Sequence, residues 1–227
     1  MDALSTRINS LPASATLAMA AKARELKNKG IDIIGLSLGE PDFNTPEFIK
    51  EAAINAVNEN WNSYSPVDGY ADLKEAICEK FKRDNNLDYK PSQVVVSTGA
   101  KQSIANLCLV LLDPGDEVLL PAPYWVSYSA IATLAEATST IIPSSIKNDF
   151  KITPEQLEAA ITPKTKLIMF NSPNNPSGTV YTEAEYRALG QVLIKHPNIY
   201  ILSDEIYEHI NYGVSHFSIA AIPELYD

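Results

Sequence analysis

The sequence has 227 residues, of which 45% are hydrophobic and 20% are charged. This composition suits one or two globular domains and excludes a disordered chain. Acidic residues outnumber basic ones by 28 to 18, which gives a net charge of −10 and argues against nucleic acid as a partner. The N-terminus lacks the pattern of a signal peptide and the sequence has no apolar run of about 18 residues, so we expect a cytoplasmic protein with no membrane partner.

The cysteines and histidines do not form a recognisable metal motif. Cys78 and Cys108 lie far apart and form no CxxC pair, so we expect two core thiols and no disulfide framework. His196, His209 and His216 do not have a known ligand spacing. We therefore predict no metal site.

The first third of the chain is predicted to be largely helical. An N-cap candidate at residue 14 or 16 and a stop at Gly30 predict a first helix. Residues 31–43 have the pattern of a short strand that runs into a turn. A second helix is expected to begin with Thr45 as its N-cap, and apolar residues at helical spacing predict another over residues 73–81.

From Val94 onward, short apolar runs alternate with helical segments. Residues 94–97 and four later runs have the composition of buried strands. Possible capping boxes, Thr153 with Gln156 and Thr182 with Glu185, predict helices that begin near residues 154 and 183. This alternation predicts an α/β fold with a mainly parallel sheet.

Polar residues follow four of these runs, and the carboxyl ends of parallel strands meet at one edge of a sheet. Gly99, Ala100 and Lys101 follow the first run and open a helix, an arrangement that suits a phosphate. Many such turns contain glycine, however, and Lys101 is equally well explained as a solvated residue of the first turn.

The other strand ends carry an aromatic side chain, an amide and an acid. Trp125 suits stacking on a flat ring, although packing under a loop explains it as well. Asn175 offers an amide donor in a segment that also reads as an ordinary turn. Asp204 could pair with a protonated ring nitrogen, and Tyr207 could bond to a ring oxygen. Together these groups suit an aromatic, phosphorylated cofactor with a basic ring nitrogen.

Six motifs in one order give the chain a resemblance to a known family. They are "LSLGEPDF", "YSPVDGY", "VVVSTGAKQ", "LDPGDEVLLPAPYWVSY", "NSPNNPSGTVY" and "SDEIYEH". The chain resembles the class I (fold type I) aminotransferases that use pyridoxal 5′-phosphate, and most closely their bacterial aspartate aminotransferase subgroup. The resemblance implies a three-layer α/β/α large domain at residues 46–227, and an N-terminal segment, residues 1–45, that belongs to a small domain.

The resemblance also implies roles for single residues at the cofactor phosphate. Gly99, Ala100 and Lys101 match positions that hold this phosphate. Tyr64 matches a tyrosine that reaches the phosphate of the neighbouring subunit, which implies a homodimer. The Lys101 position is also associated with the distal carboxylate of acidic substrates, which favours aspartate or glutamate.

At the cofactor ring, the resemblance assigns Asp204 to the ring nitrogen and both Asn175 and Tyr207 to the ring oxygen. Trp125 would lie against the cofactor and the substrate. The implied reaction is the ping-pong transfer of an amino group from an L-amino acid to a 2-oxo acid. The positions that resemble substrate contacts are Gly39, Lys101, Trp125 and Asn175.

The resemblance covers only the N-terminal part of such an enzyme. The Schiff-base lysine of the family lies beyond the "SDEIYEH" motif, and no lysine follows Lys195 in this sequence. We therefore expect no catalytic lysine and no C-terminal small domain in this chain, which would be inactive and poorly folded alone. In the family's strand order, residues 94–97 would lose their partner and Tyr200–Ser203 would form an open edge.

Three alternatives remain at this point. The chain could be a non-catalytic remnant of an aminotransferase, or its substrate could be an aromatic amino acid or prephenate. A dinucleotide or nucleoside triphosphate enzyme is disfavoured because the sequence has no GxGxxG, and "STGAKQS" lacks the spacing of a P-loop.

Overall fold

The computed structural model describes residues 4–11, 15–36, 39 and 41–226, with side chains from residue 18 onward in the second range. The chain forms two compact units. The smaller unit is Leu11–Ser65, and the larger unit combines Met1–Ser10 with Pro66–Asp227. The boundary predicted after residue 45 stays a prediction.

The smaller unit contains two helices. Helix α2, Ala15–Asn28, confirms the first predicted helix and ends just before Gly30, whose φ is 77°. Its predicted N-cap at residue 14 lies outside the described residues, and residue 16 falls inside the helix. Helix α3, Glu47–Asn58, begins one residue later than predicted, because Pro46 and not Thr45 is its N-cap.

The strand predicted at the start of residues 31–43 is wrong. Residues 31–36 form no strand, and Ile34 and Leu36 are 85% and 92% exposed. An apolar run becomes a strand only when a neighbouring strand takes up its backbone hydrogen bonds. Residues 31–36 are paired with no strand within the described part of the chain.

The larger unit alternates helices with strands. Its helices are α1 Thr6–Asn9, α4 Ala71–Asn85, α5 Ala100–Leu111, α6 Ser127–Leu134, α7 Pro154–Ala160 and α8 Glu183–Leu193. Its strands are β1 Glu117–Pro121, β2 Thr138–Ile142, β3 Thr165–Asn171 and β4 Tyr200–Asp204. Short 3-10 helices cover Pro91–Gln93, Ile146–Asn148, Ile219–Ala221 and Pro223–Leu225. No helix in the described ranges has both the length and the apolar character needed to cross a membrane.

Both predicted capping boxes are present. The side chain of Thr153 accepts a hydrogen bond from the Gln156 backbone N–H at 3.3 Å, and the side chain of Gln156 accepts one from the Thr153 N–H at 2.9 Å. Thr182 and Glu185 form the same pair of bonds at the start of α8. The Thr182 hydroxyl accepts from the Glu185 N–H at 3.3 Å, and the Glu185 carboxylate accepts from the Thr182 N–H at 2.7 Å. Each box provides acceptors for two backbone N–H groups at the start of a helix, and this fixes the residue at which the helix begins.

The four strands form one parallel sheet in the order β2, β1, β3, β4. The predicted α/β fold with a mainly parallel sheet is therefore confirmed. Among the described residues, β4 pairs only with β3, so the expected open edge at Tyr200–Ser203 is also confirmed.

The strand predicted at residues 94–97 is wrong. Val94 has extended dihedrals, φ −110° and ψ 129°, but the segment belongs to no sheet. Its Val96 N–H donates instead to the carbonyl of Asp68 at 3.1 Å. Gly69, at φ 101°, lies so close to Val96 that a Cβ atom there would come within 2.5 Å of the valine side chain. A turn thus occupies one face of this segment, and the described chain supplies no partner strand.

The sheet separates two apolar layers. Val118, Leu120, Leu167 and Met169 pack against α5 and α6, and the alternate strand residues pack against α7 and α8. This alternation follows from the two-residue period of a strand. Helices therefore cover both faces, and the three-layer arrangement is confirmed.

The two thiols differ in burial. Cys108 of α5 is completely buried, which confirms a core thiol, and burial raises its pKa to about 11. Cys78 of α4 is only half-buried. Its predicted core position is thus correct in part.

Candidate functional site

The polar residues of the larger unit meet at the carboxyl ends of the strands. Asn171 is the last residue of β3 and lies opposite Asp204, the last residue of β4. Strand β1 ends at Pro121, and the loop after it leads to Trp125. Turns from three neighbouring strands thus converge at one edge of the sheet, as they do where parallel α/β proteins bind ligands.

Asp204 is held by two hydrogen bonds to its carboxylate. The hydroxyl of Tyr128 donates to Oδ2 at 2.7 Å, and the backbone N–H of Ile206 donates to Oδ1 at 3.3 Å. Tyr128 is only 1% exposed. Burial, together with the negative charge of Asp204, raises the pKa of Tyr128 well above its usual range. The phenol therefore keeps its proton and remains a donor to the carboxylate.

Asn171 joins the ends of β3 and β4 to the turn that follows β3. Its amide Nδ2 donates to the carbonyl of Asp204 at 2.9 Å, and its Oδ1 accepts from the backbone N–H of Asn175 at 2.7 Å. The Asn175 side chain in turn donates to the hydroxyl of Tyr207 at 3.5 Å. The amide and the phenol predicted to act together therefore do lie together.

Asn174 makes different hydrogen bonds from its neighbour Asn175. Its Nδ2 donates to the carbonyl of Pro123 at 3.1 Å, and its Oδ1 accepts from the backbone and the hydroxyl of Ser177 at 3.0 and 2.8 Å. Asn174 thus fixes the turn itself and ties it to the loop after β1. The peptide bonds Ala122–Pro123, Ser172–Pro173 and Asn175–Pro176 are cis.

Lys101 contacts the ring of Trp125, which in turn packs against the ring of Tyr128. The Lys101 ammonium lies 4.8 Å from the centroid of the Trp125 ring, within range of a cation–π contact. The Trp125 ring meets Tyr128 edge to face, with centroids 5.5 Å apart. Trp125 is partly buried against the core and partly exposed, so it packs and also presents ring surface at the site.

Helix α5 begins at Ala100, directly after Gly99, which has φ 85° and ψ 158°. The first hydrogen bonds of the helix run from the N–H groups of Gln102 and Ser103 to the Gly99 carbonyl, at 3.1 and 3.4 Å. The N–H groups of Ala100 and Lys101 therefore precede the helical ladder and point out of the helix start. This geometry suits an anion.

The two remaining predicted site residues belong to the smaller unit. Gly39 and Tyr64 are both exposed within it. The roles implied for them at the substrate and at a neighbouring subunit stay predictions.

A groove of about 690 Å³ runs along the outer edge of β4. It shares Ala100 and Asp204 with the candidate site, and Ile104, Leu107 and Tyr226 are among the residues that line its walls. Trp125, Asn175 and Tyr207 do not line it. The groove thus follows the open edge of the sheet rather than the cluster at the strand ends.

Beside this groove, three side chains form a group that the sequence did not predict. Glu205, Glu208 and His216 bring oxygen and nitrogen atoms within 4.8 Å of one another, with His216 Nε2 at 2.9 Å from Glu205. Ser218 also donates to Glu205 at 2.7 Å. Lys80 already pairs with Glu208, so we assign no ion to this group and interpret it as a structural network.

Two residues of the site, Tyr128 and Asn171, were missed by the sequence reasoning. Both stand inside motifs that were recognised, "LDPGDEVLLPAPYWVSY" and "NSPNNPSGTVY". The one available signal was their position, since each lies just before or after a residue assigned to the ligand. Their partner, Asp204, is 76 and 33 residues away in sequence, which no local pattern reveals.

Comparisons with known proteins agree with the fold. Residues 31–225 match the family described as aminotransferase class I and II. An aspartate aminotransferase of Bacillus subtilis (strain 168) is 52% identical over 97% of this chain and 56% of its own length. An aspartate/prephenate aminotransferase of Cereibacter sphaeroides is 50% identical over the whole chain and 57% of its own length.

Solved structures show the same relationship. The aspartate aminotransferase of Rhizobium meliloti superposes with a TM-score of 0.94 at 44% identity, over 98% of this chain and 56% of that one. The aspartate aminotransferase of Thermus thermophilus with maleate superposes with a TM-score of 0.94 at 43% identity, over 98% of this chain and 58% of that one. The chain spans a little over half the length of these relatives. On this evidence the chain belongs to the class I and II aminotransferases.

Proposed function

We propose that this chain forms the pyridoxal 5′-phosphate site of an enzyme that transfers amino groups between an L-amino acid and a 2-oxo acid. The observation that carries the proposal is the carboxylate of Asp204, held by Tyr128 at 2.7 Å at the strand ends, beside the Asn175–Tyr207 pair. When bound, this cofactor supplies a ring that takes up the electrons released at the substrate α-carbon.

The residues present fit the groups of this cofactor. Asp204 is positioned to hold a proton on the ring nitrogen, because a fixed carboxylate favours the charged form of a nearby base. Asn175 and Tyr207, 3.5 Å apart, can both contact one ring oxygen. The half-buried ring of Trp125 offers an aromatic surface at the same edge. These four side chains would bind and orient the ring.

The start of α5 fits the phosphate. The N–H groups of Ala100 and Lys101 precede the helical hydrogen bonds, and the glycine before them has the positive φ that this tight approach requires. The Lys101 ammonium adds a positive charge in a chain whose net charge is −10. Anion binding at this point therefore depends on local groups, because the overall field is repulsive.

For the substrate, aspartate is the first candidate. The names of the relatives above include aspartate in each case and prephenate in one of them. Lys101 offers a charge that an acidic substrate could use, although its ammonium here lies on Trp125. An aromatic amino acid or prephenate is the second candidate, because Trp125 provides apolar ring surface.

The remaining parts of the proposal concern the whole protein. Tyr64 is an exposed aromatic residue, as a residue that reaches a neighbouring subunit should be, and a homodimer is proposed on this ground and on the family resemblance. The cytoplasmic location and the inactivity of these 227 residues alone stay predictions. Gly39 is proposed to meet the substrate through its backbone.

The proposal can be tested through cofactor binding by this chain. We expect Asp204→Asn to weaken binding of pyridoxal 5′-phosphate by about tenfold or more, because a neutral amide lacks the negative charge that stabilises a protonated ring nitrogen. Binding is measured by equilibrium dialysis with the absorbance of the cofactor. The matched control is Asp88→Asn, since Asp88 is 89% exposed and lies 3.7 Å from its partner Lys82.

Equal affinity of Asp204→Asn and Asp88→Asn would contradict the assignment of Asp204 to the ring nitrogen. A second pair of variants tests the contact between Tyr207 and the ring oxygen separately from general effects of a tyrosine substitution. Tyr207→Phe is expected to weaken binding severalfold through the loss of one hydrogen bond. Tyr212→Phe, at a side chain that is 97% exposed, should leave it unchanged.

A further inference from the structure

Tyr128 is a buried residue whose hydroxyl reaches the candidate site. Its ring is 1% exposed and packs in the layer between the sheet and α5 and α6, yet its hydroxyl reaches Asp204 Oδ2 at 2.7 Å. The other donor to the Asp204 carboxylate, the N–H of Ile206, is at 3.3 Å. The shorter bond comes from a side chain that the core holds in place.

We propose that Tyr128 is a positioning residue that fixes the Asp204 carboxylate for pairing with the ring nitrogen of the cofactor. This inference rests on the function proposed above and adds a residue that does not itself touch the ligand. A bond at 2.7 Å to a charged acceptor is among the stronger hydrogen bonds in proteins. It holds one carboxylate oxygen and leaves the remaining lone pairs of Asp204 free to accept from a ring N–H.

Packing against its neighbours holds Tyr128 itself in place. Trp125 packs edge to face on its ring at 5.5 Å, and the ring belongs to the apolar layer that also contains Leu202 of β4. Burial and the charge of Asp204 raise the pKa of Tyr128, so its proton stays on the phenol. The donor is therefore present at neutral pH, and its direction is set by packing.

A purely structural role would have different consequences. If Tyr128 served only to fill the core, its hydroxyl could be removed without any effect that depends on the ring nitrogen of the ligand. If it positions Asp204, removal should matter only for a ligand that carries this nitrogen. The ratio of affinities for two ligands that differ at this one atom separates the two cases, because packing effects cancel in the ratio.

The experiment compares pyridoxal 5′-phosphate with its analogue in which a C–H group replaces the ring nitrogen. Binding to the 227-residue chain is followed by the quenching of tryptophan fluorescence. We expect the unmodified chain to bind the natural cofactor about tenfold or more tighter than the analogue. In Tyr128→Phe this preference should fall to about one, while the affinity for the analogue changes little.

The matched control is Tyr186→Phe. Tyr186 is also 1% exposed, but it packs in the opposite layer, stacked on Tyr181 with centroids 5.0 Å apart. We expect this variant to keep the preference of the unmodified chain. Circular dichroism establishes that each variant is folded.

The outcomes are distinct. An unmodified chain that binds both ligands equally, or neither, overturns the pairing of Asp204 with the ring nitrogen and this inference with it. A preference that survives in Tyr128→Phe overturns the role of Tyr128 alone. If Tyr128→Phe does not fold, Tyr128→Met decides, because methionine adapts to irregular core space and also lacks a donor to Asp204. A preference that falls to about one in Tyr128→Met supports the inference, and a preference that survives overturns it.

Discussion

Asn171 is the residue that holds the two sides of the candidate site together. It is 6% exposed, and its amide bonds both to the carbonyl of Asp204 and to the N–H of Asn175. The carbonyl of Asp204 has a second donor, the N–H of Ser172 at 3.2 Å. The N–H of Asn175 is therefore the group that depends most on Asn171.

We predict that Asn171→Ala lowers the free energy of unfolding by about 2 kcal/mol, because a partly buried N–H is left without its acceptor. The same change should weaken cofactor binding, since the turn that carries Asn175 is no longer fixed. Urea unfolding at neutral pH measures the first effect. Asn198→Ala, at an exposed position, is the control, and an equal midpoint for the two variants would contradict the prediction.

At this scale the sequence indicated which residue types face a ligand but not which residues support them. Asp204, Asn175 and Tyr207 were predicted because they lie in the polar segments that follow apolar runs. Tyr128 reads as one more core aromatic, and its hydroxyl acquires a function only through Asp204, 76 residues later. A contact between two distant residues depends on the packing of whole elements and cannot be deduced from spacing.

Strand β4 lies at one edge of the sheet in the larger unit. The N–H of Ser172 donates to the Asp204 carbonyl, which therefore faces β3. Because backbone groups alternate along a parallel strand, those of Ile201 and Ser203 face away from β3. The outer edge of β4 thus presents hydrogen-bonding groups beside an apolar groove, which favours association with other chains.

We predict that Tyr200→Glu reduces self-association of this chain, because a charge on an edge strand disfavours pairing with a second strand. Tyr200 is 49% exposed, and the Lys166 ammonium lies 5.7 Å from its ring centroid. A glutamate can therefore meet a positive charge there, and the fold should tolerate it. Light scattering at increasing protein concentration measures the effect.

The control for this experiment is Tyr212→Glu, which adds the same charge at a 97% exposed residue outside the sheet. An equal reduction in both variants would show that net charge, and not the strand edge, governs association. No reduction in either would contradict the role of the β4 edge.

The elements also show why some predictions were correct and others wrong. Helices α7 and α8 begin where their capping boxes place them, because both partners lie within three residues. Residues 94–97 were predicted as a strand from apolar character alone. A strand requires a partner, and Val96 bonds to Asp68 instead. Local interactions are therefore encoded in short motifs, whereas pairing depends on the rest of the chain.

At the scale of the whole molecule, ion pairs join segments that are far apart in sequence. Lys80 of α4 pairs with Glu208, 128 residues away, and Asn85 donates to the same carboxylate at 3.0 Å. Lys151 contacts both oxygens of Glu185 at 3.1 Å and so ties the loop before α7 to α8. Glu208 is 16% exposed, and this partial burial strengthens its pair relative to those on the open surface.

The pKa of Glu208 determines how this contact responds to acid. Burial acts to raise this pKa, but the hydrogen bonds from Asn85 and Lys80 outweigh it, and the pKa lies below the ordinary value of 4.5. A carboxyl whose pKa is lowered by folding stabilises the protein fully above its unfolded pKa. The stabilisation disappears as the pH falls through the lower, folded pKa.

We therefore predict that Glu208→Gln lowers the free energy of unfolding by about 1 kcal/mol at pH 7, because the charge-assisted bonds to Lys80 and Asn85 are weakened. The difference from the unmodified chain should shrink as the pH falls below about 4.5, where Glu208 of the unfolded chain begins to take up a proton, and should vanish once the pH has passed the lower pKa of Glu208 in the folded chain. Urea unfolding from pH 7 to pH 3.5 measures both quantities. Glu51→Gln, at an exposed position, should differ little from the unmodified chain at every pH. A Glu208→Gln difference that stays constant down to pH 3.5 would show that packing, and not charge, accounts for the contribution of this residue.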